Sequence, residues 1–181
     1  MKQFGDTTRN NGSEAFAMRI IIADGPLGVS WQHASETCEF LGDVFALRHA
    51  KAGADYTEAR HSIIYLVNEL LENAIKFRVP GAIRVDCSLE DGNFELTVSN
   101  ETAADVASRF QTLIEEIVSR DPGELLIERI EANAADETSS GSGLGLLTLM
   151  NDYGARLGWD FRASPSGSAV TLSTHAALTL N

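Results

Sequence analysis

Cysteine is nearly absent. Cys38 and Cys87 are the only two in 181 residues, far apart and outside any CxxC spacing. This excludes a disulfide framework and a thiolate zinc site, and leaves buried, reduced thiols as the expectation. Long apolar runs are missing as well; none approaches the roughly 20 residues a membrane-spanning helix needs. The opening MKQFGDTTRNNGSEAF is polar and lacks the apolar centre of a signal peptide, so a cytoplasmic protein is expected. Basic residues are scarce: 14 Lys and Arg face 26 Asp and Glu, for a net charge of −12. A surface of that sign repels nucleic-acid phosphates and anionic membranes alike. A polyanionic ligand would have to be met by local positive potential from a lysine, backbone N–H groups or a metal ion.

What is present is an ordinary globular composition, 44% hydrophobic and 22% charged, long enough for one domain with a substantial core. Residues 1–14 read as a disordered lead-in and 15–181 as a single domain. The apolar run 16–22 is a strand candidate, stopped by Asp24-Gly25-Pro26. Residues 30–49 have helical character, with Trp31, Ala34, Cys38, Phe40, Leu41, Val44, Phe45 and Leu47 available for a buried face. The spacing predicts a second helix over 57–77, where Ile63, Val67, Leu70, Ala74 and Phe77 recur at 4-3-4-3 intervals before Pro80-Gly81.

Strands 83–89 and 94–99 follow, joined through Asp91-Gly92 as a hairpin. Helical stretches at 104–119 and 123–133 are separated by Asp121-Pro122. Residues 134–143 are small, polar and glycine-containing, the composition of a mobile loop. A helix is expected over 144–157, ending at Gly158. A second hairpin, 159–163 and 168–174, turns at Ser164-Pro165-Ser166-Gly167. The order implies an α+β two-layer sandwich with helices on one face of a mixed, mostly antiparallel sheet.

Two places can carry chemistry. At 100° per residue, Glu69, Asn73 and Lys76 fall within about 60° of one another on the second helix, opposite its apolar stripe. A carboxylate, an amide and an amine on one face suit a nucleotide: an amide oxygen for Mg²⁺, an amine for phosphate, a carboxylate for a proton. The same pattern is equally that of a solvated helix face. Second, Gly141, Ser142, Gly143, Leu144 and Gly145 lead into a helix. Glycines allow close backbone approach to phosphate, and the helix start offers unpaired N–H groups. A flexible linker with a helix start has the same composition. Neither a Walker A sequence nor a dinucleotide-binding fingerprint is present.

Together the two elements resemble a family. Asn68-Glu69-Leu70-Leu71-Glu72-Asn73-Ala74-Ile75-Lys76-Phe77 resembles the N box of the GHKL (Bergerat-fold) ATPases and kinases. Gly141-Ser142-Gly143-Leu144-Gly145-Leu146 resembles their G2 box, and Gly167-Ser168-Ala169-Val170-Thr171-Leu172 their closing strand. The boxes stand in the family's order across about residues 58–175, with helical insertion where the family carries its ATP lid.

The resemblance implies ATP and Mg²⁺ as ligands, Asn73 on the metal, Lys76 and the glycine-rich segment on phosphate, and Ser168 near the adenine. Glu69 matches the general-base glutamate of the family's hydroxyl- and water-directed members. One position departs. The family's G1 aspartate, which accepts from the adenine amino group, is replaced by Asn100 in Ser99-Asn100-Glu101-Thr102, with no glycine after it. An amide oxygen can still accept that bond, without charge.

The four histidines match no phosphoacceptor motif. The size and the boxes resemble the stand-alone anti-sigma-factor and partner-switching serine/threonine kinases, and more narrowly a bacterial regulator group related to the SiaB kinases. This implies phosphorylation of a small STAS-like partner protein on Ser or Thr, and a homodimer through the N-terminal strand and helix. The altered G1 position keeps two other readings in view: a non-catalytic nucleotide-sensing module that sequesters a partner, and a plain ATPase.

Overall fold

A computed structural model describes residues 1–8, 15–23, 31–51, 53–135, 143–164, 167 and 169–181. The elements run β1 (Lys2–Gly5), β2 (Phe16–Ile22), α1 (Trp31–Ala50), α2 (Tyr56–Phe77), β3 (Ile83–Glu90), β4 (Asn93–Ala103), α3 (Ala104–Ser119), α4 (Pro122–Ala135), α5 (Leu144–Asn151), β5 (Arg156–Ala163) and β6 (Ala169–Thr179). The strands form one sheet in the order β1-β5-β6-β4-β3-β2. Each neighbouring pair is antiparallel. Among the described residues no helix is long and apolar enough to cross a membrane.

Strand alternation places Phe94, Leu96 and Val98 of β4, with Leu157, Trp159 and Phe161 of β5, on the face that meets the helices. All six are buried. Phe45 of α1 anchors this layer, with ring centroids 5.2 Å from Phe16 and 5.0 Å from Phe94. α2 buries Ile63, Leu66, Val67, Leu70, Leu71 and Ala74. Asp55 caps its start by accepting from the Thr57 and Glu58 amides at 2.7 and 3.1 Å, which satisfies two N–H groups the helix cannot pair internally. α4 opens on Pro122 with Asp121 accepting from the Glu124 amide at 2.9 Å, as a proline in a helix's first turn permits.

Several expectations need correction. Lys2–Gly5 does not belong to a disordered lead-in: it is an edge strand on β5, Lys2 opposite Phe161 and Gly5 opposite Gly158. Phe4 explains why, its ring packing edge-on to Phe161 at 5.8 Å. Phe40 and Leu47 are exposed rather than buried; each lies two residues, about 200°, beyond a buried position of α1. Phe77, expected in the apolar stripe, is 38% exposed where α2 ends. Ala134 and Ala135 extend α4 instead of starting a loop.

The helix expected over 144–157 stops at Asn151. Gly154 adopts φ +63°, and the chain reverses with the Ala155 N–H on the Leu149 carbonyl at 2.9 Å. Residues 156–158 then pair with Ala177, Ala176 and His175 of β6. Cross-strand pairing thus outweighs the helical spacing that 153–157 shares with its neighbours. Both hairpins also run longer than expected, because β4 and β6 pair continuously from Asn93↔Thr179 to Ala103↔Ala169.

The other face of the sheet is polar and tied together. The Gln3 side-chain amide donates to Asp160 at 2.5 Å, His175 Nε2 meets Asp160 at 3.1 Å, and Thr97 Oγ1 meets His175 Nδ1 at 3.0 Å. The chain leaving β1 crosses Gly158 so closely that a Cβ there would overlap the Asp6 carbonyl and lie 2.9 Å from the Thr7 nitrogen. Gly158→Ala is therefore expected to cost about 1–3 kcal/mol and to release residues 2–8 from the sheet. Hydrogen exchange should show faster exchange at the amides of β1 while those of β4 keep their protection.

Candidate functional site

A cavity of ≈ 330 Å³ opens between the helical layer and the sheet, a size typical of small-molecule sites. Its floor is the row that β4, β6 and β5 build across the sheet: Val98, Asn100 and Thr102, then Leu172 and Thr174, then Trp159. One wall is α2, contributing Leu70, Asn73, Ala74 and Phe77 at i, i+3, i+4 and i+7. The other is α3 with Val106, Ala107, Arg109, Phe110 and Leu113, and Leu146 of α5 closes the end. Phe110 holds α3 against the floor, its ring 6.4 Å from Trp159 and 6.3 Å from Phe161.

Asn73 and Asn100, assigned from sequence, thus line the same cavity from opposite layers. Asn100 is 5% exposed, and its amide nitrogen donates to the Glu101 carbonyl at 3.3 Å. It sits inside β4 rather than in a loop after it, because no glycine follows and residues 100–103 continue the ladder against Leu172–Ala169. That extension fixes the end of α2: the Thr102 hydroxyl donates to the Phe77 carbonyl at 2.7 Å, and the Val79 N–H bonds the Glu101 carbonyl at 2.9 Å. A carbonyl orphaned at the helix terminus is thereby satisfied by the strand that forms the cavity floor.

Glu69, one turn before Asn73, is half-buried against α5. The absence of a side chain at Gly145 makes this possible: a Cβ there would overlap the Glu69 carboxylate and lie 2.5 Å from its Cδ. Gly143 caps α5 at φ +89°, a left-handed backbone that favours glycine. The Arg129 guanidinium packs over it, 2.7 Å from where a Cβ would stand, and is held by Glu116 at 2.7 Å. Leu144 begins α5, and the Leu147 amide bonds the Gly143 carbonyl at 3.1 Å.

Lys76 does not join this group. It is exposed, with its ammonium 5.1 Å from the centroid of Phe77, outside the cavity wall. Gly141, Ser142 and Ser168 lie outside the described residues, as does the expected loop from 136 to 142. Sequence reasoning missed Thr174, Trp159 and Arg109, which reach the cavity only through strand register and the packing of α3. It also missed Tyr65, one turn before Glu69 on α2, whose ring stacks on Tyr153 with centroids 4.8 Å apart; its i−4 position was a signal available in the sequence. Both thiols are buried and free, and burial pushes each up to about 12, so neither is a nucleophile at neutral pH.

Burial raises the Glu69 carboxyl above its ordinary value, the neighbouring Glu72 adds to this, and the bond from Tyr65 opposes both. A raised carboxyl means that the folded state holds the proton more tightly than the unfolded state. Native stability contributed here is therefore present at acid pH and lost as pH rises from the ordinary carboxyl range through the raised value. Glu69→Gln removes that loss. The variant is expected to melt at a higher temperature than the parent at pH 7, with the difference closing below about pH 4, where both side chains are neutral. Calorimetry across that range checks it.

No family model and no curated protein matches this sequence. Among solved structures, a chain of the SiaB–SiaC complex from Pseudomonas aeruginosa superposes with a TM-score of 0.62 at 20% identity, over 90% of this chain and 89% of that one. The likeness is one of fold: both have a two-layer α+β architecture, and in this chain the helices lie on one face of an antiparallel sheet.

Proposed function

We propose that this chain is a protein serine/threonine kinase that binds ATP with Mg²⁺ in the cavity between α2, α3 and the sheet, and phosphorylates a small STAS-like partner in a partner-switching system. The observation that carries the reading is the seating of Glu69 on Gly145, one helical turn from Asn73 and beside the cavity. A carboxylate, an amide oxygen and the start of a glycine-capped helix meet there, and a phosphoryl-transfer site needs those three things. That the similar solved chain comes from a two-protein complex supports a partner protein as the substrate.

In this reading the base lies in the apolar part of the cavity, with Asn100 and Thr174 as its polar contacts. Asn73 would hold the metal. Among the described residues no cluster of three or more His, Cys, Asp or Glu side chains suits a cation alone, so the ion would be shared with phosphate oxygens. Bound Mg²⁺ supplies neutralisation of phosphate charge. The N–H groups at the start of α5 would add local positive potential that the chain as a whole lacks. Glu69 accepts the proton as the partner's hydroxyl oxygen bonds to the γ-phosphorus and the bond to ADP breaks. Its raised proton affinity brings it closer to the working pH of a general base. Lys76 requires a side-chain movement to reach phosphate.

Asn100 motivates a second reading, a nucleotide-sensing module without transfer, because a neutral amide replaces the expected aspartate. A plain ATPase is the third. Incubation with labelled ATP, Mg²⁺ and the protein encoded by a neighbouring gene separates them. A phosphoprotein product supports the kinase, free phosphate alone the ATPase, and binding without either the sensor. For the kinase, Glu69→Gln is expected to lower transfer by about 100-fold or more with nucleotide affinity within about threefold of the parent. Transfer that survives Glu69→Gln at the parent rate would rule out the proposed base. Asn73→Ala should abolish the Mg²⁺-dependent part of nucleotide affinity, read by calorimetry with and without the ion.

A further inference from the structure

The cavity is charged at one point. Among the described residues its lining holds no carboxylate, lysine or histidine, and Arg109 of α3 is its one ionisable side chain. That side chain is 75% exposed, whereas Asn100 on the floor is 5% exposed. The cation therefore stands at the mouth, and the neutral polar groups lie deep. A ligand that suits both ends carries its anionic part outward and its apolar or ring part inward. The other cations of the region are placed differently. Lys76 rests over the Phe77 ring, outside the lining. Arg129 is only 18% exposed and is held by Glu116 at 2.7 Å, and an ion pair is harder to break the less water reaches it.

Arg109 already has a partner, but a weak one. Its Nη2 donates to Asp105 Oδ2 at 3.2 Å, one turn back on α3, and the two side chains are 75% and 73% exposed. An i, i+4 pair so open to water contributes little. Asp105 has its own reason to stand there: it lies in the first turn of α3, where a carboxylate faces the positive end of the helix. Phosphate oxygens offer the same guanidinium a fork-shaped, two-bond partner.

We infer that Arg109 receives the phosphate end of the ligand, exchanging Asp105 for it, and that Asp105 competes with the ligand for the guanidinium. This role rests on the nucleotide reading of the cavity and adds a direction to it: the base lies inward at Asn100 and the phosphates lie along α3. Val106, Arg109, Phe110 and Leu113 share the face of α3 that lines the cavity. Leu113, one turn beyond Arg109, stands 3.4 Å from where a Cβ on Gly143 would be. The arginine and the N–H groups at the start of α5 thus border one rim at adjoining positions. The positive charge that the motif assigns to Lys76 on α2 comes instead from the opposite wall.

The test is calorimetric titration of the full chain with ATP, adenosine and inorganic triphosphate, each with Mg²⁺. Arg109→Gln is expected to weaken ATP and triphosphate roughly tenfold or more and to leave adenosine within about twofold of the parent. Arg109→Lys keeps the charge, loses the fork and should fall between the two. Asp105→Asn should tighten ATP by about twofold, and Lys76→Ala should cost less than Arg109→Gln. Equal ATP affinity in Arg109→Gln and the parent overturns the assignment while the nucleotide reading stands. A loss of the same size for adenosine also overturns it, since Arg109 is then part of the wall alone, and so does a larger loss in Lys76→Ala. Triphosphate binding that depends on Arg109, with ATP no tighter than triphosphate, overturns the nucleotide reading and keeps the arginine's role. A parent that binds neither ATP nor triphosphate overturns both.

Discussion

The bond from the Thr102 hydroxyl to the Phe77 carbonyl ties the two layers of this molecule together where its cavity lies. α2 packs its apolar face against α1 and β4, but packing alone fixes neither where the helix stops nor how far it lies from the far end of the strand. Thr102 fixes both. It satisfies a terminal carbonyl of the helix from within a strand, and with the Val79–Glu101 backbone bond it pins the chain reversal after Phe77. Asn73, one turn inside that pinned end, and Asn100, two residues before Thr102, are thereby held in opposite layers of one cavity.

A second constraint follows from asking one helix to be core on one side and site on the other. Leu66, Leu70 and Leu71 are buried, so α2 cannot turn to relieve strain around Glu69. The accommodation is made on α5, at Gly145. The glycine carries a helix-propensity penalty of about 1 kcal/mol, and the carboxylate it admits is held where its charge is disfavoured. Burial of a charge without an opposing cation is the kind of local cost that functional sites retain against the stability of the whole. Beside it the Tyr65 ring, one turn along α2, stacks on Tyr153.

The net charge of −12 sets the electrostatic terms on which an anionic ligand could be held. Several of the acidic groups are engaged locally, Asp43 and Glu39 with Arg60, Glu116 with Arg120 and Arg129, and Asp105 with Arg109. Two of these arginines border the site: Arg109 lines the cavity and Arg129 covers Gly143. The cations nearest the cavity are therefore arginines on α3 and α4, each already paired with a carboxylate, Arg109 with Asp105 and Arg129 with Glu116. Lys76, the cation the motif singles out, rests on Phe77 outside it.

The sequence by itself determined the elements that announce themselves by period and punctuation: β2, α2, the β3–β4 hairpin, α3, and the motif residues Glu69 and Asn73 on one helix face. Those follow from side-chain spacing along a single element, which is a local property. Tertiary structure decided what depends on pairing between distant segments. β1 became a strand because Phe4 found Phe161, and residues 156–158 left their helical spacing because β6 lay alongside. Asn100 became part of the cavity floor because β4 continued to Ala103 against Ala169. The meeting of Glu69 with Gly145 and Tyr65 with Tyr153 joins residues more than 70 positions apart, and no period along the chain encodes such a distance. Only the packing of α5 against α2 brings them together.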